Sequence, residues 1–400
     1  MSLNAEFNKA ASDARKLFAH ARDAVAEMKK ELADSKAFIT DLMGLSKEAD
    51  TAARDKMKST YISQFTTRVV SGMKTLDDAD LMERMYGLYK RMFPIESERE
   101  ELNKLLKVLQ HNDDAALQSE GAPFKQQWVV VENQQGEIVA ARYFSTFSTA
   151  KEQGAPTGID GTQHLTYSFV DPKYRSLGLG EHTMKRAEAE GRAFIAETHG
   201  GGRSAASVNL LQFCEQNAPL KMTASEFLTD TAGAKTDQFW RRDYYEKMGF
   251  RSIAHDYIQV PLRRREKGGQ SVHFLDLLVR PKTAQPVSMS EIPAATVAFH
   301  IYNTDKRSFA AGQYDIDAEA DWQTQLAALR TQNKLDIRPK LDFMSVKDKV
   351  WNKIDDSIKS PAFDKNSFNN TALGEAFGLP EIPAYTQPPR PTASKSQAPT

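Results

Sequence analysis

The spacing of apolar residues predicts that the chain begins with helices. Over residues 4–43, apolar side chains recur every third or fourth position and charged residues occupy the other faces. This is the pattern of an amphipathic α-helix, which Gly44 is placed to end. Residues 47–72 repeat the pattern, so a second helix and a helical hairpin are expected; its apolar positions are Ala53, Met57, Tyr61, Phe65 and Val69.

Two further helices are predicted over residues 78–110. The first is expected to be capped by Asp77 or Asp78, and Pro94 ends it because the residue before a proline disfavours the helical conformation. The segment Ser97–Glu100 resembles a capping box, in which a side chain and a backbone amide satisfy each other at the start of the second helix.

Alternation of apolar and polar residues predicts strands in the middle of the chain. Lys125–Glu132 and Glu137–Phe147 form a hairpin through the turn 133–136, and His164–Val170 forms a third strand after a polar loop at 148–163. Strand character returns in three later segments, 209–215, 253–260 and 271–279.

The C-terminal quarter is predicted to be mainly helical. Residues 294–302 are compatible with a strand or a buried helix, whereas 317–332 and 346–358 have the pattern of surface helices. From about residue 378 onward, Pro, Ser and Thr dominate, which is typical of a disordered tail.

Composition limits the classes of function. The 400 residues hold 53 Lys+Arg and 53 Asp+Glu, so the zero net charge gives no field to attract nucleic acid, which is not expected as a partner. Cys214 is the single cysteine, so no intramolecular disulfide can form and a reducing compartment is favoured. Neither a signal sequence nor a run of about 18 apolar residues occurs, so a cytoplasmic protein without a membrane segment is expected. The eight histidines and one cysteine show no ligand spacing, and no metal is expected.

One stretch carries a candidate chemistry. The strand that ends at Val170 is followed by Asp171-Pro172, then by Arg175-Ser176-Leu177-Gly178-Leu179-Gly180, and then by a helix. The first amides of a helix have no intrahelical partner and lie at the positive end of its dipole. Glycines allow an anion to approach the main chain, and Arg175 adds a charge. The stretch therefore predicts a phosphate or diphosphate site, although a G-x-G alone is a weak signal.

Two motifs that occur in the expected order are a more specific signal than the G-x-G alone. The R-x-x-G-x-G segment at 175–180 resembles motif A of the GNAT acyltransferase superfamily, and the segment Tyr244–Phe250 resembles its motif B. The resemblance covers roughly residues 78–280. It implies an α+β fold of three layers, with a mixed, mostly antiparallel twisted sheet that is splayed in the middle and flanked by helices. It also implies acetyl-CoA as co-substrate.

The resemblance implies roles for individual residues. Tyr245 corresponds to the tyrosine that protonates the leaving thiolate in many members, although it could instead only pack against the pantetheine arm. Asn217 could cap a helix or contact that arm. The main chain at Phe169 and Val170 would pair with pantetheine, and the diphosphate would lie on the loop formed by Arg175, Ser176, Leu177, Gly178, Leu179 and Gly180.

The general base stays open among three alternatives. His164 occupies the strand position where some members carry a glutamate, and an imidazole can accept a proton near neutral pH. Glu215 stands at the end of the next strand. An amine that is already neutral could also attack with only ordered water present.

These observations divide the chain into four parts: a helical extension (1–75), a GNAT domain (76–305), a helical extension (306–377) and a disordered tail (378–400). The expected function is transfer of an acetyl group from acetyl-CoA to a primary amine, by direct attack in a ternary complex. The acceptor could be a small molecule or a protein amine. The alternative is a catalytically weak or inactive acyl-CoA-binding regulatory protein with helical partner-binding arms. A homodimer through the N-terminal helices is compatible with the sequence.

Overall fold

The computed structural model describes most of the chain, with gaps. The described residues are 3–42, 58–73, 75–93, 100–114, 122–150, 158–200, 202–234, 236–260, 271–282, 291–309, 316, 319–338 and 342–378. The predicted capping box at 97–100 lies outside them except for Glu100, as do residues 47–57 of the second predicted helix and the predicted tail from residue 379 on.

The described strands form a seven-stranded sheet in the order β1-β2-β3-β4-β5-β7-β6 and a two-stranded sheet β8-β9. In the larger sheet, β4 and β5 are parallel and the other neighbours are antiparallel. The mixed, mostly antiparallel sheet with flanking helices confirms the predicted α+β fold class. The strands are β1 (Thr66–Val70), β2 (Phe124–Glu132), β3 (Ile138–Ser148), β4 (Gly161–Val170), β5 (Leu210–Asn217), β6 (Arg251–Ser252), β7 (Leu275–Lys282), β8 (Glu291–Pro293) and β9 (Lys334–Asp336).

Helices cover both faces of the larger sheet. They are α1 (Leu3–Leu42), α2 (Leu76–Met92), α3 (Leu102–Gln110), α4 (Leu179–His199), α5 (Ala224–Ala234), α6 (Gln238–Lys247), α7 (Ala294–Phe309), α8 (Ala320–Arg330), α9 (Phe343–Lys359), α10 (Lys365–Asn370) and α11 (Leu373–Ala376). Met184 of α4 and Tyr245 of α6 pack on one face with Leu165. On the other face, α2 and α3 pack against Trp128 and Phe169.

The sheet opens between its two parallel strands. Residues Gly161–His164 of β4 pair with Leu210–Phe213 of β5, and no pairing follows beyond His164. From there β4 continues along β3 to Val170, whereas β5 continues along β7 to Asn217. The predicted splay in the middle of the sheet is therefore present.

The N-terminal helix uses its apolar face within the chain. Small and apolar residues of α1, among them Ala14, Phe18 and Ala21, pack with Phe227 of α5 and Val350 of α9. Burial of such a face releases ordered water and stabilises the helix far more than its intrinsic propensity does. The apolar face that the sequence predicts for this helix therefore packs inside the same molecule.

The predicted helix over 47–72 is wrong in its last part. Residues 58–62 are helical, but Thr66–Val70 is strand β1, which pairs antiparallel with β2 from Thr66↔Glu132 to Val70↔Trp128. The segment is rich in β-branched residues, which pack well on a pleated surface, and the available sheet edge decides its conformation. The sheet therefore begins before residue 76, inside the segment predicted as a helical extension.

Other boundaries also differ from the predictions. Thr75, and not Asp77 or Asp78, caps α2: its hydroxyl accepts from the Asp78 amide, and the Asp78 carboxylate accepts from the Thr75 amide (both 3.1 Å). The strand predicted at 253–260 is wrong: β6 ends at Ser252, and residues 253–260 form only isolated bridges at Ile253 and Gln259. Residues 294–302 belong to helix α7, the buried-helix alternative.

Candidate active site

The loop between β4 and α4 is held in a shape that helices and strands do not provide. Asp171 accepts a hydrogen bond from the Lys173 amide (3.1 Å), which shapes the turn after the strand. Ser176 (φ +65°) and Gly178 (φ +85°) then adopt left-handed backbone conformations, and α4 begins after Gly178. Glycine meets this requirement without strain, whereas at Ser176 the conformation costs energy of the kind found at functional sites.

Most amides of this loop have no hydrogen-bond partner in the described part of the chain. The Tyr174 and Arg175 amides are used locally, by the Asp171 and Pro172 carbonyls. In contrast, no amide from Ser176 to Gly180 donates a hydrogen bond to another described residue. They lie at the positive end of a 21-residue helix. Such an array of donors suits a phosphate or diphosphate.

Arg175 lies between the loop and the N-terminal helix. Its Nε donates to the Val170 carbonyl (3.4 Å), and its Nη1 lies 3.8 Å from Oε2 of Glu31 on α1. Burial lowers the pKa of the guanidinium, and the Glu31 and Asp171 carboxylates oppose that shift. The charge available to an incoming anion is therefore partly neutralised by α1.

Arg142 is a second cation at this site, and sequence reasoning missed it. Its side chain is fully buried on β3, donating from Nη2 to the Gly180 carbonyl (3.2 Å) and from Nε to Thr183 Oγ1 (3.4 Å). Its Nη1 has no hydrogen-bond partner in the described part of the chain. A buried donor without an acceptor is costly, so this atom is suited to meet a ligand. The sequence signal that could have identified Arg142 is its position within a predicted strand, between apolar residues.

Two tyrosines of α6 face the same region. Tyr245 is buried beside Leu165 and Cys214, and burial raises its pKa to about 12. Tyr244 is 38% exposed, and a Cβ built on Gly180 would lie only 2.7 Å from its hydroxyl oxygen. The structure thus places the predicted acid, Tyr245, next to the gap, and it brings Tyr244 against the loop. Both phenols are protonated at neutral pH, because burial also raises the pKa of Tyr244.

The predicted pantetheine segment borders the open part of the sheet. Phe169 pairs with Ala141 of β3, and its side chain packs with Trp128 and Tyr143. On the side of β4 that faces β5, the segment from Leu165 to Val170 has no strand partner in the described part of the chain. Apart from the Val170 carbonyl, which accepts from Arg175, the main chain along this edge has no strand partner and suits an extended ligand.

His164 lies at the point where the gap begins. Its Nδ1 is 3.1 Å from Nε2 of His300 on α7, and its Nε2 is 4.0 Å from Oε1 of Glu215. Burial lowers the pKa of His164 to about 4. At neutral pH the ring is therefore uncharged, and it accepts a proton much less readily than an exposed histidine.

Glu215 is the better placed base. Its carboxylate accepts hydrogen bonds from the Tyr257 hydroxyl and from Gln259 Nε2 (2.5 Å), while 16% of the side chain stays exposed. Burial raises its pKa to about 7, and the two hydrogen bonds oppose that shift. A base is most effective when its pKa lies near the working pH, which favours Glu215 over His164.

Asn217 is engaged with α5 and α6. Its Nδ2 donates to Asp230 (2.9 Å) and to Gln238 Oε1 (3.3 Å). It caps neither neighbouring helix, because Thr223 accepts from the Glu226 amide at the start of α5 and Asp237 caps α6, so the helix-cap alternative is wrong. Its contact with a pantetheine arm stays a prediction.

Comparisons with known proteins gave matches among solved structures. No family model and no curated protein sequence matches this chain. A GNAT-family acetyltransferase from Desulfovibrio desulfuricans matches with 15% identity and a TM-score of 0.29, over 55% of this chain and 99% of that one. The ribosomal-protein-S18-alanine N-acetyltransferase of Escherichia coli matches with 13% identity and a TM-score of 0.28, over 56% and 99%. A GNAT-family acetyltransferase from Staphylococcus aureus matches with 14% identity and a TM-score of 0.29, over 54% and 99%.

Two further properties of the described residues concern membranes and metal ions. No helix among them is long and apolar enough to cross a membrane. In the same residues, no group of three or more His, Cys, Asp or Glu side chains is arranged to hold a metal ion.

Proposed function

We propose that this protein is an N-acyltransferase that moves an acetyl group from acetyl-CoA to a primary amine. The observation that carries the proposal is the row of unpaired amides from Ser176 to Gly180, which ends beside the gap between β4 and β5. The amides would hold the diphosphate, and the free edge of β4 at Phe169 and Val170 would pair with the pantetheine arm. The thioester would then lie in the gap.

In the proposed reaction the amine attacks the thioester directly. The lone pair of the neutral amine forms the new C–N bond at the carbonyl carbon, and Glu215 takes the proton that the positively charged nitrogen then releases. A main-chain amide on the free edge of β4 stabilises the oxyanion of the tetrahedral intermediate. The C–S bond then breaks, the sulfur leaves with the electron pair, and the products are an N-acetylamine and free coenzyme A.

The departing thiolate would be protonated by a tyrosine of α6. Tyr245 is the first candidate because it packs beside Leu165, at the edge of the gap. The charge of Arg142 lowers the pKa of both Tyr244 and Tyr245 against the larger effect of burial. The guanidinium would therefore make either phenol a better acid and would favour the negative sulfur. This gives the unpartnered Nη1 of Arg142 a function.

The alternative is a protein that binds acyl-CoA without transferring the acyl group. It uses the same free amides, so the structure of the loop does not distinguish it from an enzyme. The feature that favours catalysis is Glu215, a partly exposed carboxylate with a pKa of about 7 at the beginning of the gap. Binding alone gives no reason for a base at this place.

Two measurements test the proposal. Calorimetric titration with acetyl-CoA is expected to show a single site. The double variant that carries both Arg175→Ala and Gly178→Glu is expected to lose this binding. A thiol-release assay with a panel of primary amines is expected to show turnover that depends on both substrates. Absence of binding would refute the assigned site, whereas binding without release for every amine would favour the alternative.

A further inference from the structure

Two buried histidines and a threonine form a chain of polar contacts behind Glu215. The ring of His300 on α7 lies with Nδ1 3.2 Å from Oγ1 of Thr162 and with Nε2 3.1 Å from Nδ1 of His164. Nε2 of His164 then faces Oε1 of Glu215 at 4.0 Å. The chain of contacts therefore starts on β4, passes through α7 and ends at the proposed base on β5.

Packing sets the position of the His300 ring. The ring is buried and stacks on Phe213 of β5, with centroids 4.0 Å apart and planes 17° apart, and it lies 5.3 Å from the ring of His164. Val297 and Ile301 of α7 belong to the same apolar cluster as Phe213, so the helix itself is held against the sheet. The ring nitrogens of His300 therefore meet protein groups at fixed places.

Both imidazole rings are uncharged at neutral pH. Burial lowers the pKa of His164 to about 4, and burial followed by the neighbouring His164 lowers the pKa of His300 well below its usual value. In a neutral imidazole one ring nitrogen donates and the other accepts. Because the two rings contact each other through one nitrogen each, the tautomer of one ring decides the tautomer of the other.

The hydrogen bonds of this chain can run in two directions, and the charge of Glu215 favours one of them. If the Thr162 hydroxyl donates to His300 and His300 Nε2 donates to His164 Nδ1, then His164 carries its proton on Nε2 and presents it to the carboxylate. The opposite direction places the Nε2 lone pair against the carboxylate, which is repulsive. At 4.0 Å the contact is too long for a hydrogen bond, so a negative charge interacts with the positive end of an N–H dipole.

The other groups around Glu215 make the orientation of His164 more important. The Tyr257 hydroxyl and Gln259 Nε2 donate to the carboxylate from the segment after β6. On α7, the charge of Glu215 adds to the effect of burial in raising the pKa of Asp305. In the described part of the chain, no lysine or arginine forms an ion pair with Glu215. The ionised carboxylate therefore depends on neutral N–H and O–H groups for its stabilisation.

Resting on the proposed function, we propose that His300 is a positioning residue that holds His164 in the tautomer with its proton on Nε2, facing the carboxylate of Glu215. The N–H dipole stabilises the ionised form of Glu215, which is the form that takes the proton from the reacting nitrogen. The Nε2 proton stays on His164 throughout, so His164 assists the base and is not itself the base. His300 lies beyond residues 78–280, so the superfamily motifs do not imply this role.

Two substitutions of His300 separate positioning from packing. His300→Gln keeps an N–H donor at nearly the reach of Nε2 but loses the ring that stacks on Phe213, whereas His300→Phe keeps a ring and loses the donor. In His300→Phe, Glu215 should bind its proton about threefold more tightly, so the acidic limb of kcat/KM should move upward by about 0.5 pH unit. In His300→Gln the limb should stay at its wild-type position.

The matched control is His199→Phe, which removes the contact of another histidine, with the Asp160 carbonyl at the far end of α4 (3.0 Å). It should leave the acidic limb unchanged. Equal shifts in both His300 variants, or a shift confined to His300→Gln, would indicate that the ring only packs and would overturn the proposal. Unchanged profiles in both variants would overturn it as well.

Nitrogen NMR of protein with isotope-labelled histidine tests the tautomer without any turnover. The His164 signals are identified by their loss in His164→Gln, and in the unmodified protein at pH 8 the proton is expected on Nε2. The Nε2 signal should also follow the titration of Glu215, with a higher midpoint in His300→Phe. A proton on Nδ1 would overturn the inference even where acetyl transfer is observed. Absence of transfer to every amine, with tautomer and midpoints as expected, would refute the proposed function and confirm the effect of His300 on Glu215, so the two failures are distinguishable.

Discussion

Glu31 is expected to weaken acetyl-CoA binding, because it occupies the guanidinium of Arg175. The Oε2–Nη1 distance is 3.8 Å, and the two side chains are 30% and 16% exposed. An incoming diphosphate would take over Arg175 and would bring its negative charge next to Glu31. Removing the carboxylate in Glu31→Gln should therefore favour the complex.

The size of the effect follows from the exposure of the pair. Coulomb's law with an effective dielectric constant of about 20 gives roughly 4 kcal/mol at this separation. Partly exposed pairs contribute much less in practice, about 1 kcal/mol or below, because solvent and salt screen them. We therefore expect Glu31→Gln to lower the Kd for acetyl-CoA by up to about fivefold at low salt, which corresponds to about 1 kcal/mol. The gain should shrink as ionic strength rises.

The assay is calorimetric titration of acetyl-CoA at two salt concentrations. Asp13→Asn is the matched control, since it removes the same charge from α1 about 27 Å along the helix axis, at 1.5 Å per residue. It should leave Kd unchanged. In an Arg175→Met background, Glu31→Gln should have a smaller effect, because the shared partner is missing. An unchanged or higher Kd in the single variant would refute the reasoning and would assign Glu31 the role of positioning Arg175.

Three further predictions concern the loop, the acid and the base. Gly178→Glu should abolish acetyl-CoA binding by bulk and like charge, whereas Gly200→Glu, at the other end of α4 and with a similarly positive φ, should not; calorimetry of both variants checks this. Tyr245→Phe should lower kcat far more than it changes the acetyl-CoA Kd, and Tyr244→Phe is the comparison; equal losses in kcat and affinity would indicate packing alone. Because the pKa of Glu215 is about 7, kcat/KM should fall below pH 7 and Glu215→Gln should remove that limb; an unchanged profile would exclude Glu215 as the base. The folded protein binds the Glu215 proton more tightly than the unfolded chain does, so the free energy of unfolding falls as pH rises from about 4.5 to 7. Glu215→Gln should therefore be more stable than wild type at pH 8 but not at pH 4, as measured by thermal unfolding.

The charges of the candidate site differ across the sheet. On the α4 face, Arg142 is buried and lies below the first turn of the helix, whereas Glu215 belongs to the opposite face. In the proposed reaction the attacking nitrogen gains positive charge and the sulfur gains negative charge. A cation behind the sulfur and a carboxylate behind the amine would stabilise both changes without further rearrangement.

Local signals were sufficient for part of this arrangement. The β2–β3 hairpin follows from alternating residues on both sides of a turn in which Gly136 has φ +76°. The strand, loop and helix around Gly178 also follow from residues that are close in sequence, whereas the gap was expected only from a resemblance.

The tertiary structure decided the rest. Thr66–Val70 has a helical spacing and becomes a strand, since β2 offers an unpaired edge whose hydrogen bonds and apolar face outweigh local preference. The contact of His164 with His300 joins residues that are far apart in sequence. No local pattern encodes such contacts, because they depend on how α7 packs across the sheet. The sequence by itself therefore determined the loop that would bind the cofactor, whereas only packing determined the acceptor side, since long-range burial brings those groups together.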